Sequence, residues 1–443
     1  MRSHPTALGA ALCIATFALA GRALAQNEWV EPPKPAPVTN ERPNLPADHP
    51  TLCSDRLPLC LHASTPTAVH KLVPALATLE QAYRRVVFVL GWRPPAPDLS
   101  GPSAGFDVYL DDLASPWTVH PDPMTDVSYL ARTSAFARVR EDLFGSCHLS
   151  FAFSAALARA GIYAIDAAAN DQLANASATY LGTLAEPCPG AFLAGIDDFQ
   201  ASPQLAVSNP AHDEGRGAVL FPWFLQDSRG RGGPADLLHA LWALSPQPPP
   251  KDSATLLNEP DFLDAVATLA TDTRRSLPDL WLDFAVARAF AGNRDDGIHL
   301  PDTRFLDSAG AVRFEWSVPY ASLPRRLAPR FPVEPSGASY VWLSLGDAPK
   351  NAGLGFRAEW EPPDLFRFAL VLVDAQGQTL SRHNPVSQER GTSAEANLET
   401  LEGAAGLIVV VTNTGSVLRD IAFDPDNHPY TARSYAVSLF AQQ

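Results

Sequence analysis

The stretch Cys147-His148-Leu149-Ser150-Phe151-Ala152 opens a mostly apolar segment that continues to about Arg159. Its alanine and leucine content predicts a helix, and Ala160-Gly161 is the expected end because glycine commonly follows the last helical turn. A second alanine-rich segment, Ala167 to Leu184, predicts another helix, which stops before Pro187. We expect the elements before this helix to lead up to it, and those after it to cover it or to form a second domain.

Length and composition limit the classes of protein to consider. The chain has 443 residues, which favours two domains, and 46% of them are hydrophobic, which is enough for packed cores. The formal net charge is −15, and no basic stripe occurs in the sequence. This balance argues against a nucleic-acid partner or an anionic membrane surface.

The N-terminal residues have the pattern of a signal peptide, predicted over 1–25. Arg2 precedes an apolar run from Ala7 to Ala20, and Ala23-Leu24-Ala25 is a small-x-small cleavage site. No later run reaches about 20 apolar residues, so no transmembrane segment is predicted. We therefore expect export to the periplasm or the cell exterior, followed by a proline-rich linker over 26–50.

The cysteines that remain after removal of a signal peptide are Cys53, Cys60, Cys147 and Cys188. An even number in an exported chain favours disulfides. Three pairings are possible, and we favour Cys53–Cys60 with Cys147–Cys188 because each closes a local loop. A four-cysteine zinc site is the other interpretation, but it requires close CxxC-type pairs that these spacings do not supply.

The sequence changes character near Leu323. The predicted class is α+β, with a mainly helical domain containing a small sheet over 51–322 and an all-β sandwich over 323–443. In the first domain the patterns predict a helix from Pro66 to Val89 and strands at Phe106–Asp111 and Ser134–Leu143. In the second, the predicted strands are Tyr340–Leu345, Phe366–Val373, Leu407–Thr412 and Tyr435–Phe440.

The helix at 147–159 has the framework of a zinc-protease site with most of the chemistry replaced. A zincin requires two histidines at i and i+4 on one helix face and a glutamate directly after the first. In the gluzincin arrangement, a following helix supplies a glutamate as third ligand. Here His148 occupies the first position, Leu149 the position of the base, Ala152 the second ligand position and Asn175 the third.

The order of motifs along the chain resembles a secreted family of proposed zinc metalloproteases (gluzincin-like, HExxH…E) that is common in myxobacteria. The resemblance spans nearly the whole mature chain. The segments that carry it are Leu52-Cys53 with Leu59-Cys60, Phe106–Asp111, the 147–152 stretch, Gln172–Tyr180, Gly215–Leu225 and Asp283–Arg288. The resemblance implies a zincin-like fold followed by a sandwich, and it implies zinc as cofactor.

This sequence departs from the family pattern at the residues that would perform the chemistry. Three of the four expected zinc-site residues are absent, and one imidazole does not hold catalytic zinc because three protein ligands are the norm. The expected function is therefore that of an exported pseudo-metalloprotease without metal or catalytic residues. It would bind an unidentified protein, peptide or glycan. The alternatives are an active zinc-dependent metallopeptidase with rearranged ligands and a purely structural envelope protein.

Two further motifs have ordinary explanations. His212-Asp213-Glu214 precedes a predicted helix from Glu214 to Gln226 and is expected to cap it, because acidic residues at a helix start favour the helix dipole. Asp424-Pro425-Asp426-Asn427 offers oxygen ligands for calcium but fits a plain turn as well.

Overall fold

The computed structural model describes residues 34–35, 42–46, 49–63, 69–98, 101–122, 132–230, 232–245, 255–256, 261–387, 391–416 and 432–442. The predicted signal peptide, most of the linker and the Asp424–Asn427 motif lie outside these residues. Within them, a helical region with a small sheet precedes an all-β region, which confirms the predicted fold class. None of the described helices combines the length and apolarity that crossing a membrane requires.

The small sheet of the helical region has five strands in the order β2-β3-β4-β6-β5. Its three central strands are parallel, and both edge strands run antiparallel to their neighbours. A short two-stranded ladder joins β1 to β7. The strands are β1 (Lys34–Pro35), β2 (Thr51–Cys53), β3 (Leu59–Ala63), β4 (Phe106–Asp111), β5 (Trp117–Pro121), β6 (Ala135–Arg140) and β7 (Thr255–Leu256).

Helices α1 and α2 contact this sheet. The helices of the region are α1 (Val69–Tyr83), α2 (Cys147–Tyr163), α3 (Asp171–Ala185), α4 (Leu193–Ala201), α5 (Leu220–Arg229), α6 (Asp236–Leu244), α7 (Phe262–Asp272) and α8 (Leu277–Ala289). The predicted strand at 134–143 is shorter than expected, because residues 141–143 form a 3-10 turn. The predicted helix at 66–89 changes to π geometry over Arg84–Val89. Strand β5 and helix α4 were not predicted from the sequence.

Helix α2 is the central element of the helical region. Every residue from Phe151 to Tyr163 is buried, because α1, α3 and the sheet surround the helix. An apolar sequence without a polar face is what such an all-round environment requires. The helix does not end at Gly161 as predicted. A Cβ on Gly161 would lie 2.3 Å from the Arg93 carbonyl oxygen, so this glycine permits the close approach of another segment instead.

The all-β region is a sandwich of two five-stranded sheets, ordered β13-β12-β16-β10-β8 and β14-β15-β11-β17-β9. The strands are β8 (Trp316–Pro319), β9 (Arg325–Leu327), β10 (Ala338–Ser344), β11 (Gly353–Trp360), β12 (Asp364–Val373), β13 (Thr379–His383), β14 (Val386–Ser387), β15 (Ser393–Leu398), β16 (Gly406–Ser416) and β17 (Tyr435–Gln442). Aromatic rings of the two sheets meet in the core, as in the Phe356–Phe368 pair with centroids 5.7 Å apart.

Strand β12 is buried on both faces. Its even-numbered residues from Phe368 to Leu372 lie in the sandwich core, whereas Ala369, Val371 and Val373 belong to a second cluster that includes residues of α8. The hydroxyl of Tyr340 on β10 also donates to the carbonyl of Ala285 on α8, at 2.7 Å. The first sheet of the sandwich is therefore a middle layer between the sandwich core and the helical region.

The side chain of Arg42 joins residues 42–46 of the predicted linker to the folded region. The Arg42 guanidinium donates to the carboxylates of Asp98, Asp107 (2.6 Å) and Asp122 (2.8 Å), and all three aspartates are buried. Burial by itself would lower the pKa of Arg42, but the hydrogen bond and charge of Asp122 and the charge of Asp98 raise it above its ordinary value. We refer to these four residues as the Arg42 cluster.

Candidate functional site

His148 lies in the first turn of α2, beside the disulfide that joins Cys147 to Cys188. Its Nε2 atom would be 3.0 Å from a Cβ on Gly190, which places the imidazole against the 3-10 turn Pro189–Ala191. The ligand atoms of Cys147, His148 and Cys188 lie within 4.8 Å of one another. The two sulfur atoms are bonded to each other, however, and a disulfide sulfur is not the thiolate that binds zinc.

Both cysteine pairs predicted from the sequence are present. Cys53 is bonded to Cys60, and Cys147 to Cys188. The second disulfide connects the start of α2 to the segment that follows α3, so it encloses both central helices in one loop. The predicted disulfide bonding is thus confirmed in both its number and its pairing.

The other three positions of the predicted zinc site do not surround His148. Leu149 and Ala152 are buried and pack in the hydrophobic core. Asn175 accepts a hydrogen bond from Arg159, at 3.1 Å. Because Arg159 follows His148 by eleven residues on the same helix, about 16 Å separate them along its axis. The structure therefore does not bring Asn175 to His148.

A different pair on α2 faces Asn175. Arg159 and Tyr163 are spaced i and i+4, so their side chains leave the same side of the helix. The Arg159 guanidinium lies 3.8 Å from the centre of the Tyr163 ring, and Nη2 donates to Asp171 at 2.7 Å. We refer to Arg159, Tyr163, Asp171 and Asn175 as the Arg159 cluster. Like the predicted set His148, Ala152 and Asn175, it combines an i, i+4 pair on α2 with residues of α3, but Asn175 follows Arg159 by 16 residues and His148 by 27.

Burial determines the electrostatics of the Arg159 cluster. Arg159 is 2% exposed, and its Nη1 atom has no hydrogen-bond partner among the described residues. Burial raises the pKa of the Tyr163 hydroxyl to about 12, against the opposing effect of the Arg159 charge. The Tyr163 hydroxyl therefore keeps its proton at neutral pH. The cluster contributes a fixed positive charge and no general base within the buried part.

Strand β5 borders the same region. Helix α2 contacts both β5 and β6, and β5 is one of the two antiparallel edge strands of the small sheet. His120 on β5 lies against Phe136, with ring centroids 5.2 Å apart. Burial and the positive charge of Arg138 lower the pKa of His120. This imidazole is therefore neutral at pH 7, and its Nε2 atom lies 3.0 Å from the Thr118 hydroxyl.

The predicted capping role of the 212–214 motif is wrong for two of its residues. The helix begins at Leu220, after 3-10 turns over Asp213–Val219, and the side chain of His212 makes no capping hydrogen bond. Asp213 instead pairs with Arg216, at 3.0 Å. The α-helix begins late because Gly215, at φ +92°, packs directly on the Gln172 backbone, in a left-handed conformation that a helix does not contain.

His212 is a buried neutral histidine. Its ring meets Phe199 edge-on with centroids 4.7 Å apart, and the guanidinium of Arg288 lies 3.7 Å from the centre of the same phenyl ring. Neither ring nitrogen makes a hydrogen bond of good geometry with the described residues. Burial, together with the charge of Arg288, lowers the pKa of His212 to about 3.

This buried histidine predicts a pH-dependent loss of stability. Below pH 6.5 the unfolded chain binds a proton at His212, whereas the native chain does not bind it until about pH 3. Stability therefore falls as the pH decreases through this window, by about 2 kcal/mol between pH 6.5 and pH 5 from this residue. Urea unfolding of wild type and His212→Leu at both pH values measures it. An equal pH dependence in the two proteins would contradict the assignment, and His70→Gln, at an exposed position, is the control.

The Arg159 cluster was not predicted, although the sequence contains a signal for it. Arg159 is the single arginine or lysine of a helix that is otherwise mostly apolar or small, and Tyr163 follows at i+4. A charge in a buried helix requires partners, and the next helix supplies Asp171 and Asn175. His148, the position predicted instead, lies about three turns away.

No protein-family model and no curated protein matches the chain. Among solved structures, it is similar to the pre-peptidase C-terminal domain of a collagenase from Bacillus anthracis, with 11% identity and a TM-score of 0.19 over 29% of this chain and 96% of that chain. It is also similar to CorA, a surface-associated copper-binding protein of Methylomicrobium album BG8, with 9% identity and a TM-score of 0.20 over 28% of this chain and 96% of that chain. Similarity at these scores does not indicate a function.

Proposed function

We propose that this chain is an exported, non-catalytic binding protein whose first domain is a degenerate metallopeptidase-like fold. The observation that carries the proposal is the guanidinium of Arg159, which stands between α2 and α3 beside Asn175. In a gluzincin-type site, one helix presents an i, i+4 pair of ligands and the following helix supplies the third ligand. Here the group between α2 and α3 is the Arg159 cation and not a metal ligand.

The residues of the Arg159 cluster do not fit a zinc ion. Zinc in proteins is bound by imidazole, thiolate or carboxylate groups, and three protein ligands are typical of a catalytic site. Asp171 is the only such group in the cluster, and its side chain is 64% exposed. A guanidinium is also a cation, so it repels a divalent metal ion. No hydrolytic step through zinc is therefore assigned to this position.

Two disulfides support the exported location. Such bonds persist in oxidising compartments and are rare in the cytosol, where thiols are kept reduced. Both bridges join residues of the helical region, and Cys188 is completely buried. We propose a periplasmic or extracellular setting in which the chain binds a protein, peptide or glycan.

One observation favours the alternative of a zinc-dependent enzyme. If the Cys147–Cys188 disulfide were reduced, two thiolates and the His148 imidazole would lie close enough to share one metal ion. Such a site would require a reducing environment. It would also leave Leu149, which cannot accept a proton, in the position of the general base.

Elemental analysis distinguishes these two functions. We expect protein purified without reductant to contain far less than one zinc per chain and to show no peptidase activity that a chelator abolishes. The same measurements are repeated after reduction and incubation with zinc. Stoichiometric zinc with chelator-sensitive activity in the unreduced protein would refute the proposal, and zinc uptake only after reduction that Cys147→Ser abolishes would establish the site at the disulfide.

A further inference from the structure

A cavity lies where the segment after α8 meets the middle sheet of the molecule. Its volume is about 370 Å³, and residues of both regions line it. Small-molecule sites in proteins occupy about 300–1,000 Å³ and often lie at such junctions. We refer to this cavity as the interface pocket. It is separate from the Arg159 cluster, which shares none of its lining residues.

The floor of the interface pocket is apolar. Phe290, Val373 and Ile408 are each at most 2% exposed, and their side chains close the cavity from below. Phe314 and Trp342 are half-buried and form an aromatic wall, with ring centroids 5.9 Å apart. An apolar group placed here would be removed from water and would contact aromatic faces, which favours a phenyl, indole or branched alkyl group.

Arg294 supplies a cation at the wall of this pocket. Its guanidinium lies 4.3 Å from the centre of the Phe314 ring, and Nη1 donates to the Val312 carbonyl at 2.9 Å. This is its one hydrogen bond in the described part of the chain, where no carboxylate lies within ion-pair distance of it. Nε and Nη2 are therefore available as donors, and together they form the edge that binds a carboxylate through two parallel hydrogen bonds.

The acidic residue of the pocket does not neutralise Arg294. One carboxylate oxygen of Asp295 accepts from the backbone N–H of Gly297 at 2.7 Å, and the other accepts from the backbone N–H groups of Thr303 and Arg304 at 2.9 and 3.1 Å. These bonds direct the Asp295 side chain into its own loop. The exposed guanidinium of Arg304 adds a second positive charge to the lining, so the pocket favours an anion.

Partial burial strengthens this preference. Burial lowers the pKa of Arg294, because a cation removed from water without a counter-ion is destabilised. The guanidinium nevertheless stays charged at neutral pH. A bound anion would compensate for the lost hydration and would gain a charge-assisted hydrogen bond in a partly desolvated site.

We propose that the interface pocket binds a small carboxylate bearing an aromatic or branched apolar group, with the apolar group on the floor and the carboxylate on Arg294. This inference identifies a ligand class for the proposed binding function and rests on it. It does not depend on the absence of zinc chemistry, so the zinc measurements and the binding measurements can fail separately.

Titration of the full mature chain with 4-phenylbutyrate, followed by calorimetry and ligand-observed NMR, tests the proposal. The neutral amide of the same compound is the ligand control, and N-acetylphenylalanine represents the carboxyl end of a peptide. We expect the acid to bind at least about 10-fold more tightly than the amide, since a hydrogen bond to a charged group contributes at least that factor. Preference for N-acetylphenylalanine over 4-phenylbutyrate would identify a peptide terminus, and the reverse a free acid.

Two variants test the position of the carboxylate. Arg294→Gln should bring the affinities for acid and amide together. Gln376→Glu adds a negative charge at an exposed turn of the rim and should weaken the acid alone. Arg330→Gln is the control, because Arg330 also stacks at 4.3 Å on an aromatic ring, that of Trp316, but does not line the pocket. The proposal is overturned if the acid shows no binding, if the amide binds equally well, or if both pocket variants bind the acid like wild type.

Discussion

Replacing Arg42 by alanine is expected to destabilise the protein by about 3–5 kcal/mol, the usual cost of removing one partner from a buried ion pair. The side chains of Asp98, Asp107 and Asp122 are 0–2% exposed, so water cannot replace the guanidinium. His62 would remain beside Asp107, with Nε2 2.9 Å from the carboxylate, but one imidazole does not compensate three carboxylates. Urea unfolding of the wild type and the variant measures the loss.

Two further variants separate charge from geometry in this prediction. Arg42→Lys retains the positive charge but loses the planar set of donors that contacts all three carboxylates. We therefore expect it to lower the free energy of unfolding measurably, but by less than Arg42→Ala. Arg84→Ala removes an exposed i, i+4 pair with Glu80, and we expect a loss below about 0.5 kcal/mol. Equal stability of Arg42→Ala and Arg84→Ala would show that the cluster does not hold residues 42–46 in place.

Residues 26–50 were predicted to be a proline-rich linker. The Arg42 cluster shows that part of this segment is nevertheless bound to the folded region. Proline-rich segments cannot form a core of their own. They can still be held by one long side chain when a folded region presents buried carboxylates. Asp98, Asp107 and Asp122 are far apart in the chain and converge only because β4, β5 and the loop before β4 meet at one end of the sheet. Periodicity within a segment does not contain this information.

The apolar helices and the sandwich strands were predictable because their signals are local. Strand β12 also illustrates the limit. Its continuous run Phe368–Val373 identifies a strand, but only the structure shows that alternate residues serve two different cores, one in the sandwich and one against α8. If one face of this strand were exposed to water, its sequence would alternate between apolar and polar residues.

The position of the candidate site was not predictable from the sequence. The sequence pattern assigned His148 and Ala152 to Asn175, whereas the residue of α2 that contacts Asn175 is Arg159, whose guanidinium stacks on Tyr163. A helix that is apolar on all sides offers an i, i+4 pair at every turn. Its sequence alone therefore does not show which pair faces a given residue of the neighbouring helix.

Loss of the Cys147–Cys188 disulfide is expected to destabilise the protein by about 4 kcal/mol, compared with about 2.5 kcal/mol for Cys53–Cys60, from the chain entropy of the two loops. The difference arises because Cys147–Cys188 joins residues 41 positions apart in the sequence, whereas Cys53–Cys60 joins residues 7 positions apart. The paired alanine variants Cys147→Ala/Cys188→Ala and Cys53→Ala/Cys60→Ala should therefore differ in denaturant midpoint, with the first pair lower.

The same comparison tests whether the bridge at His148 is structural. If its role is to constrain the loop that contains α2 and α3, the Cys147→Ala/Cys188→Ala variant should lose stability while its affinity for 4-phenylbutyrate at the interface pocket stays unchanged, since neither cysteine lines that pocket. If the variant were as stable as wild type, the disulfide would not stabilise the fold through chain entropy. In that case the juxtaposition of two sulfur atoms with the His148 imidazole would favour a redox-controlled metal site at the start of α2.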